Sequence, residues 1–160
     1  MKGKWFVIGT VLLLVATCVV AAVHLANQEN IACLQIRQAE QRMDVSFREL
    51  DSGAFSGVLI DGKGDRTYGE YTGILLGELL EKKGIAMDQI SGVTVTSADQ
   101  YSVTFTAQEL MQPDKVYVAI TANGKQIPGI EPESSGVQII VFADPDSRRC
   151  VRYAQIITVE

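Results

Sequence analysis

The sequence predicts an α+β, strand-rich domain preceded by one N-terminal transmembrane helix. Three observations predict it: an uncharged run from Trp5 to Ala26, a series of short alternating apolar segments after residue 43, and one strongly amphipathic helix among them. The chain has 160 residues, of which 47% are hydrophobic and 21% charged, with a formal net charge of −5. That is enough for one domain and too apolar for disorder or collagen. Without Lys2 and Lys4 the remainder carries 12 basic against 19 acidic residues. An acidic domain offers no footprint for a phosphate backbone, so nucleic acid is excluded as a partner.

Trp5–Ala26 holds twenty-two residues without Asp, Glu, Lys or Arg. About 20 apolar residues span the hydrocarbon core as a helix, which alone satisfies its own backbone in lipid. Lys2 and Lys4 precede the run and the next basic residue is Arg37, which orients the N-terminus to the cytoplasm and the rest outside. An uncleaved anchor is the preferred reading. A cleaved signal ending near Val20-Ala21-Ala22 and a lipoprotein modified at Cys18 stay open, although Thr17 replaces the small residue such a box carries. The chain thus divides into an anchor over 1–26, a polar stalk over 27–42 and an exported domain over 43–160. The membrane is the first partner.

In the domain, Val45–Leu50 alternates weakly as a first strand, and Ala54–Ile60 is a second, ended by the turn Asp61-Gly-Lys-Gly-Asp65. Thr72–Gly84 reads as a helix: Leu75, Leu76, Leu79 and Leu80 form one stripe, lysines fill the last turn and Gly84 stops it. Val93–Thr96 and Tyr101–Phe105 alternate strictly around Ser97–Gln100 and predict a hairpin. Thr106-Ala-Gln-Glu109 is a capping box opening a short helix that ends near Pro113. Val116–Ile120 turns at Asn123-Gly124 into another hairpin. Val137–Phe142 and Val151–Val159 close the domain across the loop that contains Asp144-Pro-Asp146.

The residue inventory excludes much chemistry. His24 is the sole histidine and lies in the apolar run, so Ser-His-Asp, Cys-His and His-Glu-x-x-His sites are ruled out of the exported part. Cys18, Cys33 and Cys150 form no C-x-x-C pair. Cys33 and Cys150 pair or stay as thiols; two thiols are the expectation, because a stalk residue has no fixed partner.

Three segments in order carry a resemblance. Tyr71–Ile85, the hairpin Val93–Thr106 containing Asp99-Gln-Tyr101, and Lys115–Lys125 followed by Val137–Val159 together resemble the sulfite oxidase-type molybdopterin-binding domains. The resemblance covers about residues 68–160 and implies that fold. It also implies, as the alternative, a molybdopterin-dependent oxidoreductase or a subunit of one, with Cys150 as the metal ligand. The departures point the other way. That family holds molybdenum through a cysteine on an earlier strand and the pterin through Arg and His, and its Gly-x-Pro-x-Arg segment reads Ser135-Gly136-Val137-Gln138-Ile139 here. The expectation is a membrane-tethered binding or interaction module with no cofactor and no metal. Tyr68, Tyr71, Asp99 and Tyr101 are its candidate ligand contacts, and a small ligand or an envelope protein is its partner.

Overall fold

The computed structural model describes residues 31–131 and 134–160. The Trp5–Ala26 segment lies outside these; among the described residues no helix is long and apolar enough to cross a membrane. The strands, in chain order, are β1 Ala32–Gln38, β2 Gln41–Ser46, β3 Gly53–Ile60, β4 Arg66–Leu75, β5 Gly92–Ser97, β6 Ser102–Thr106, β7 Val116–Ala122, β8 Lys125–Gln126, β9 Gln138–Val141 and β10 Ala154–Val159. Three short helices, α1 Phe47–Leu50, α2 Leu76–Lys82 and α3 Ala107–Leu110, join them, with 3₁₀ turns at Met87–Gln89 and Ser147–Arg149.

The first sheet has the order β2-β1-β10-β5-β6, parallel only between β1 and β10. The second is β3-β4-β7, with β8 and β9 pairing successive stretches of the far edge of β7. The larger core takes alternate residues from both sheets, including Ile36, Val95, Phe105, Val118, Ile139 and Ile157, and the inner face of α2 through Leu76, Leu79 and Leu80. The smaller core lies on the opposite face of the second sheet, where Tyr117, Ala119, Ile127 and Ile140 are buried beneath Phe55, Tyr71 and Phe142. β7 and β9 are therefore buried on both faces. This explains their uninterrupted apolar runs.

Three expectations need correction. The stalk over 27–42 is not a stalk in its described part. Residues 32–38 are β1, hydrogen-bonded between β2 and β10, and the domain begins at Ala32 rather than at 43. Leu34 and Ile36 enter the core at period two, while Gln35 and Arg37 give the segment its polar look from the other face. Second, Val45–Leu50 is the end of β2 followed by α1. Ser46 and Glu49 form a capping box, with Ser46 N donating to Glu49 Oε2 at 2.9 Å. Third, the helix predicted at Thr72 starts only at Leu76, because Thr72–Leu75 continues β4 and pairs with β7. Leu75 thus packs into the smaller core while Leu76 enters the larger one. Ladder pairing with β7 throughout, and with β3 at Thr72 and Gly73, outweighs the propensity of a segment that contains Gly73.

The other elements fall where expected. The β5–β6 hairpin buries Val93, Val95, Val103 and Phe105, and its wet face carries Thr94–Thr104 and Thr96–Ser102 hydroxyl pairs at 2.8 and 2.9 Å. The Thr106 capping box forms, with Glu109 N donating to Thr106 Oγ1 at 3.2 Å.

The new domain boundary has a direct test. Truncation of a buried aliphatic side chain costs about 2–5 kcal/mol, so losing Leu34 and Ile36 together approaches the whole stability of a domain, about 5–15 kcal/mol. A fragment of residues 31–160 is expected to melt cooperatively, and a fragment of 43–160 is expected to show no cooperative transition by circular dichroism.

Candidate functional site

The second sheet does not lie flat. Phe55 on β3 and Tyr117 on β7 stack with ring centroids 3.9 Å apart and planes at 11°, although β4 runs between their strands. Neighbouring strands are about 4.8 Å apart, so two strands removed is about 9.6 Å in a flat sheet. Phe142, beyond β9, reaches still further and lies against Gly57 on β3: a Cβ there would sit 2.5 Å from its ring. Tyr71 lies in the same way over Gly69, the cross-strand partner of Gly57. The sheet therefore coils, and the aromatic group Phe55, Tyr71, Tyr117 and Phe142 fills the hollow. Phe142 meets Phe55 and Tyr117 edge-on, at 6.1 and 5.9 Å. Glycine at 57 and 69 leaves room for the rings.

The coil carries Leu59, two residues beyond Gly57, to the mouth of a cavity of about 350 Å³. Asp99 and Tyr101 of the β5–β6 turn, Gln138 of β9, Ser147, Cys150 and Arg152 form its other walls. The turn is held firmly. Ser97, buried to 2% exposure, donates its hydroxyl to Asp99 Oδ1, Tyr101 N donates to the same oxygen at 3.2 Å, and Ala98 N donates to the Tyr153 carbonyl at 2.9 Å. The bonds from the Ser97 hydroxyl first and then from Tyr101 N hold the Asp99 carboxyl below its usual range. Gln100 takes φ 71°, in the left-handed region that favours glycine. Tyr101 Oη donates to the Arg148 carbonyl at 2.5 Å, tying this turn to the 147–152 segment.

Cys150 is half-buried. Its Sγ accepts from Val141 N at 3.4 Å, and burial raises its pKa. Tyr71 stands close enough that burial first, and then the charge of an ionised Cys150, raise its own pKa. Cys33 packs against the larger core, with Sγ directed at the Val45 carbonyl at 3.4 Å, and burial pushes its pKa up to about 12. The two cysteines are separate thiols. Arg152 is exposed and makes no ion pair or side-chain hydrogen bond among the described residues, whereas its neighbours are committed. Arg148 pairs with Asp146 at 2.6 Å; Arg149 bonds Glu109 at 2.7 Å and Asp144 at 3.3 Å and lies 4.7 Å over the Phe105 ring.

Of the candidate contacts, Asp99 and Tyr101 line the cavity together with Cys150, and Tyr71 stands beside them in the aromatic group. Tyr68 does not join them. It pairs with Val58 across β3–β4, one residue out of phase with the Gly57–Gly69 pair, so it projects from the opposite face. Sequence reasoning missed Leu59, Gln138, Ser147 and Arg152. Gln138 alone carried a signal, as a polar residue alternating with buried Ile139 inside an apolar run. Among the described residues no group of three or more His, Cys, Asp or Glu is placed to hold a metal ion.

No family model and no curated protein matches the chain. Among solved structures, the crystal structure of the sulfane dehydrogenase SoxCD from Paracoccus pantotrophus matches with a TM-score of 0.60 at 16% identity. The match covers 80% of this chain, which spans 38% of the length of that one. At that identity the likeness establishes the strand-rich fold.

Glu109 anchors the wall that carries Cys150. Its bond from Arg149, with the Thr106 and Lys115 contacts and against the opposing effect of burial, lowers its pKa from 4.5 to about 2. A carboxylate depressed on folding stabilises the fold above its unfolded pKa and loses that contribution as pH falls through the folded value. Stability is therefore expected to decline between about pH 4.5 and 2. In Glu109→Gln, denaturant midpoints are expected to be lower at pH 7 and to fall less over that window than in the parent.

Proposed function

We propose that the chain is a membrane-tethered, extracytoplasmic binding module on a molybdopterin-binding-like scaffold, working without that cofactor. The observation that carries this reading is the cavity wall. One uncommitted guanidinium, Arg152, stands with the Gln138 amide and the Ser147 hydroxyl as donors, facing Leu59 as the apolar wall and the ionised Asp99 as an acceptor. Such a wall suits a small molecule with one anionic group, at least one hydrogen-bond donor and a short apolar part. The Trp5–Ala26 run and the lysines before it support the tether and its orientation.

The second reading, a molybdopterin-dependent oxidoreductase or a subunit of one, draws on the likeness to a dehydrogenase fold. The residues do not fit it. A dithiolene-bound metal asks for a thiolate and several basic groups around its phosphate. Cys150 is the single thiol in the cavity, in a setting that disfavours the thiolate. Two of the three arginines beside it are spent on Asp146, Glu109 and Asp144.

A panel of small carboxylates and inorganic oxyanions, added to the purified full chain in a thermal-shift assay, tests the proposal. At a hundredfold excess over Kd a ligand stabilises by about 2.7 kcal/mol, a shift of several degrees. At least one probe is expected to raise Tm in the parent and to lose that effect in Arg152→Gln. Shifts of equal size in both proteins across the panel would contradict it. Stoichiometric molybdenum that vanishes in Cys150→Ser would establish the second reading instead.

A further inference from the structure

The cavity between the β5–β6 turn and the 147–152 segment carries one charge of each sign. Asp99 and Arg152 are the charged ones among the described residues that line it, and the rest are neutral. Opposite charges in one wall attract each other. Yet these two form no ion pair, either together or with another of the described residues.

The gap between them is held from both sides. Asp99 is pinned through Oδ1, which accepts from the buried Ser97 hydroxyl and from Tyr101 N at 3.2 Å. Both bonds fall on one oxygen, so Oδ2 keeps its acceptor capacity open among the described residues. The depressed pKa of this carboxyl keeps it ionised at neutral pH. Across the cavity, Val151, the residue before Arg152, is fixed to β9 by N–H···O bonds of 2.8 and 3.1 Å with Ile139. The bond of 2.5 Å from Tyr101 Oη to the Arg148 carbonyl then ties the two walls to each other.

We infer that the cavity takes a small zwitterion, an aliphatic amino acid whose carboxylate meets Arg152 and whose ammonium meets Asp99 Oδ2. This rests on the reading of the cavity as a binding site and narrows its ligand to one charge class. A carboxylate alone satisfies Arg152 but brings a second anion to Asp99, and an amine alone does the reverse at Arg152. A molecule with both charges answers both walls. Cys150 adds no third charge, because burial raises its pKa and keeps it a thiol. Gln138 and Ser147 supply further donors for the carboxylate, and Leu59 gives the carbon chain an apolar wall. At about 350 Å³ the cavity is at the small end of ligand pockets, roughly 300–1,000 Å³, which suits a free amino acid rather than a peptide.

Calorimetric titration of the full chain, purified in detergent, tests this with probes of one chain length: norvaline, 5-aminopentanoate, pentanoate and pentylamine. At least one zwitterion is expected to bind about tenfold more tightly than pentanoate and pentylamine, as one added charge-assisted contact gives. Which of the two binds better tells an α-amino acid from one with a terminal amine. In Asp99→Asn, whose amide oxygen keeps the turn bonds, the zwitterion is expected to lose about tenfold while pentanoate gains. Damage to the turn would not produce that crossing. Pentanoate binding as tightly as both zwitterions, with Arg152→Gln weakening all three, would overturn the inference and leave the anion site in place. Loss of zwitterion and pentanoate alike in Asp99→Asn, or no binding of either zwitterion, would also overturn it. Binding that Arg152→Gln leaves untouched would overturn the site reading as well.

Discussion

Everything that distinguishes this domain's surface depends on the coil of its second sheet around four aromatic rings. Phe55, Tyr71, Tyr117 and Phe142 come from β3, β4, β7 and the end of β9, and they meet only because the sheet bends. The bend is permitted at the Gly57–Gly69 pair, where a side chain on either strand would collide with a ring. Burying large aromatic surfaces favours closing the hollow. Its consequence is positional: β3 swings far enough for Leu59 to face Cys150, Tyr101 and Arg152, which belong to the other end of the chain. The cavity follows from how an apolar face is covered.

The first sheet is finished by a different device, used twice. β2 and β6 each run into a capping box, Ser46–Glu49 and Thr106–Glu109, that opens a one-turn helix. Each box glutamate is gripped by a base from elsewhere, Lys83 at 2.5 Å and Arg149 at 2.7 Å. The same base also covers a carbonyl of the preceding edge strand. One set of charges therefore caps a helix, ties a loop and closes an edge. Exposed ion pairs contribute little singly; here they fix geometry. In Arg149 that geometry includes the loop that presents Cys150 and Arg152.

The sequence was legible where local rules act alone. The β5–β6 and β7–β8 hairpins follow from alternation and from Asn123-Gly124, and α3 from Thr106-Ala-Gln-Glu109. It was illegible where long-range pairing decides. β1 looks polar because only Leu34 and Ile36 mark its core face, and its parallel partner β10 lies at the other end of the chain. β4 carries Gly69 where a ring must pass and Gly73 against the β7 backbone, which erases the apolar rhythm of a strand. Half the site was foreseeable: Asp99 and Tyr101 sit in a recognisable turn, whereas Leu59 arrives by the coil and Arg152 matters because its neighbouring arginines are spent on Asp146, Glu109 and Asp144. Tyr68 and Tyr71, three residues apart, project from opposite faces of a strand that was partly read as a helix.

The dependence of the cavity on the coil is tested most directly by the alkylation rate of Cys150 in Gly57→Ala, resolved from Cys33 by peptide mass, with Ser56→Ala as control. A methyl group at 57 must displace the Phe142 ring or β3 itself. The account predicts that Cys150 then reacts about tenfold faster through local opening, while Cys33 keeps its rate and Ser56→Ala changes neither. An unchanged rate at Cys150, or an equal rise at both cysteines, would contradict it.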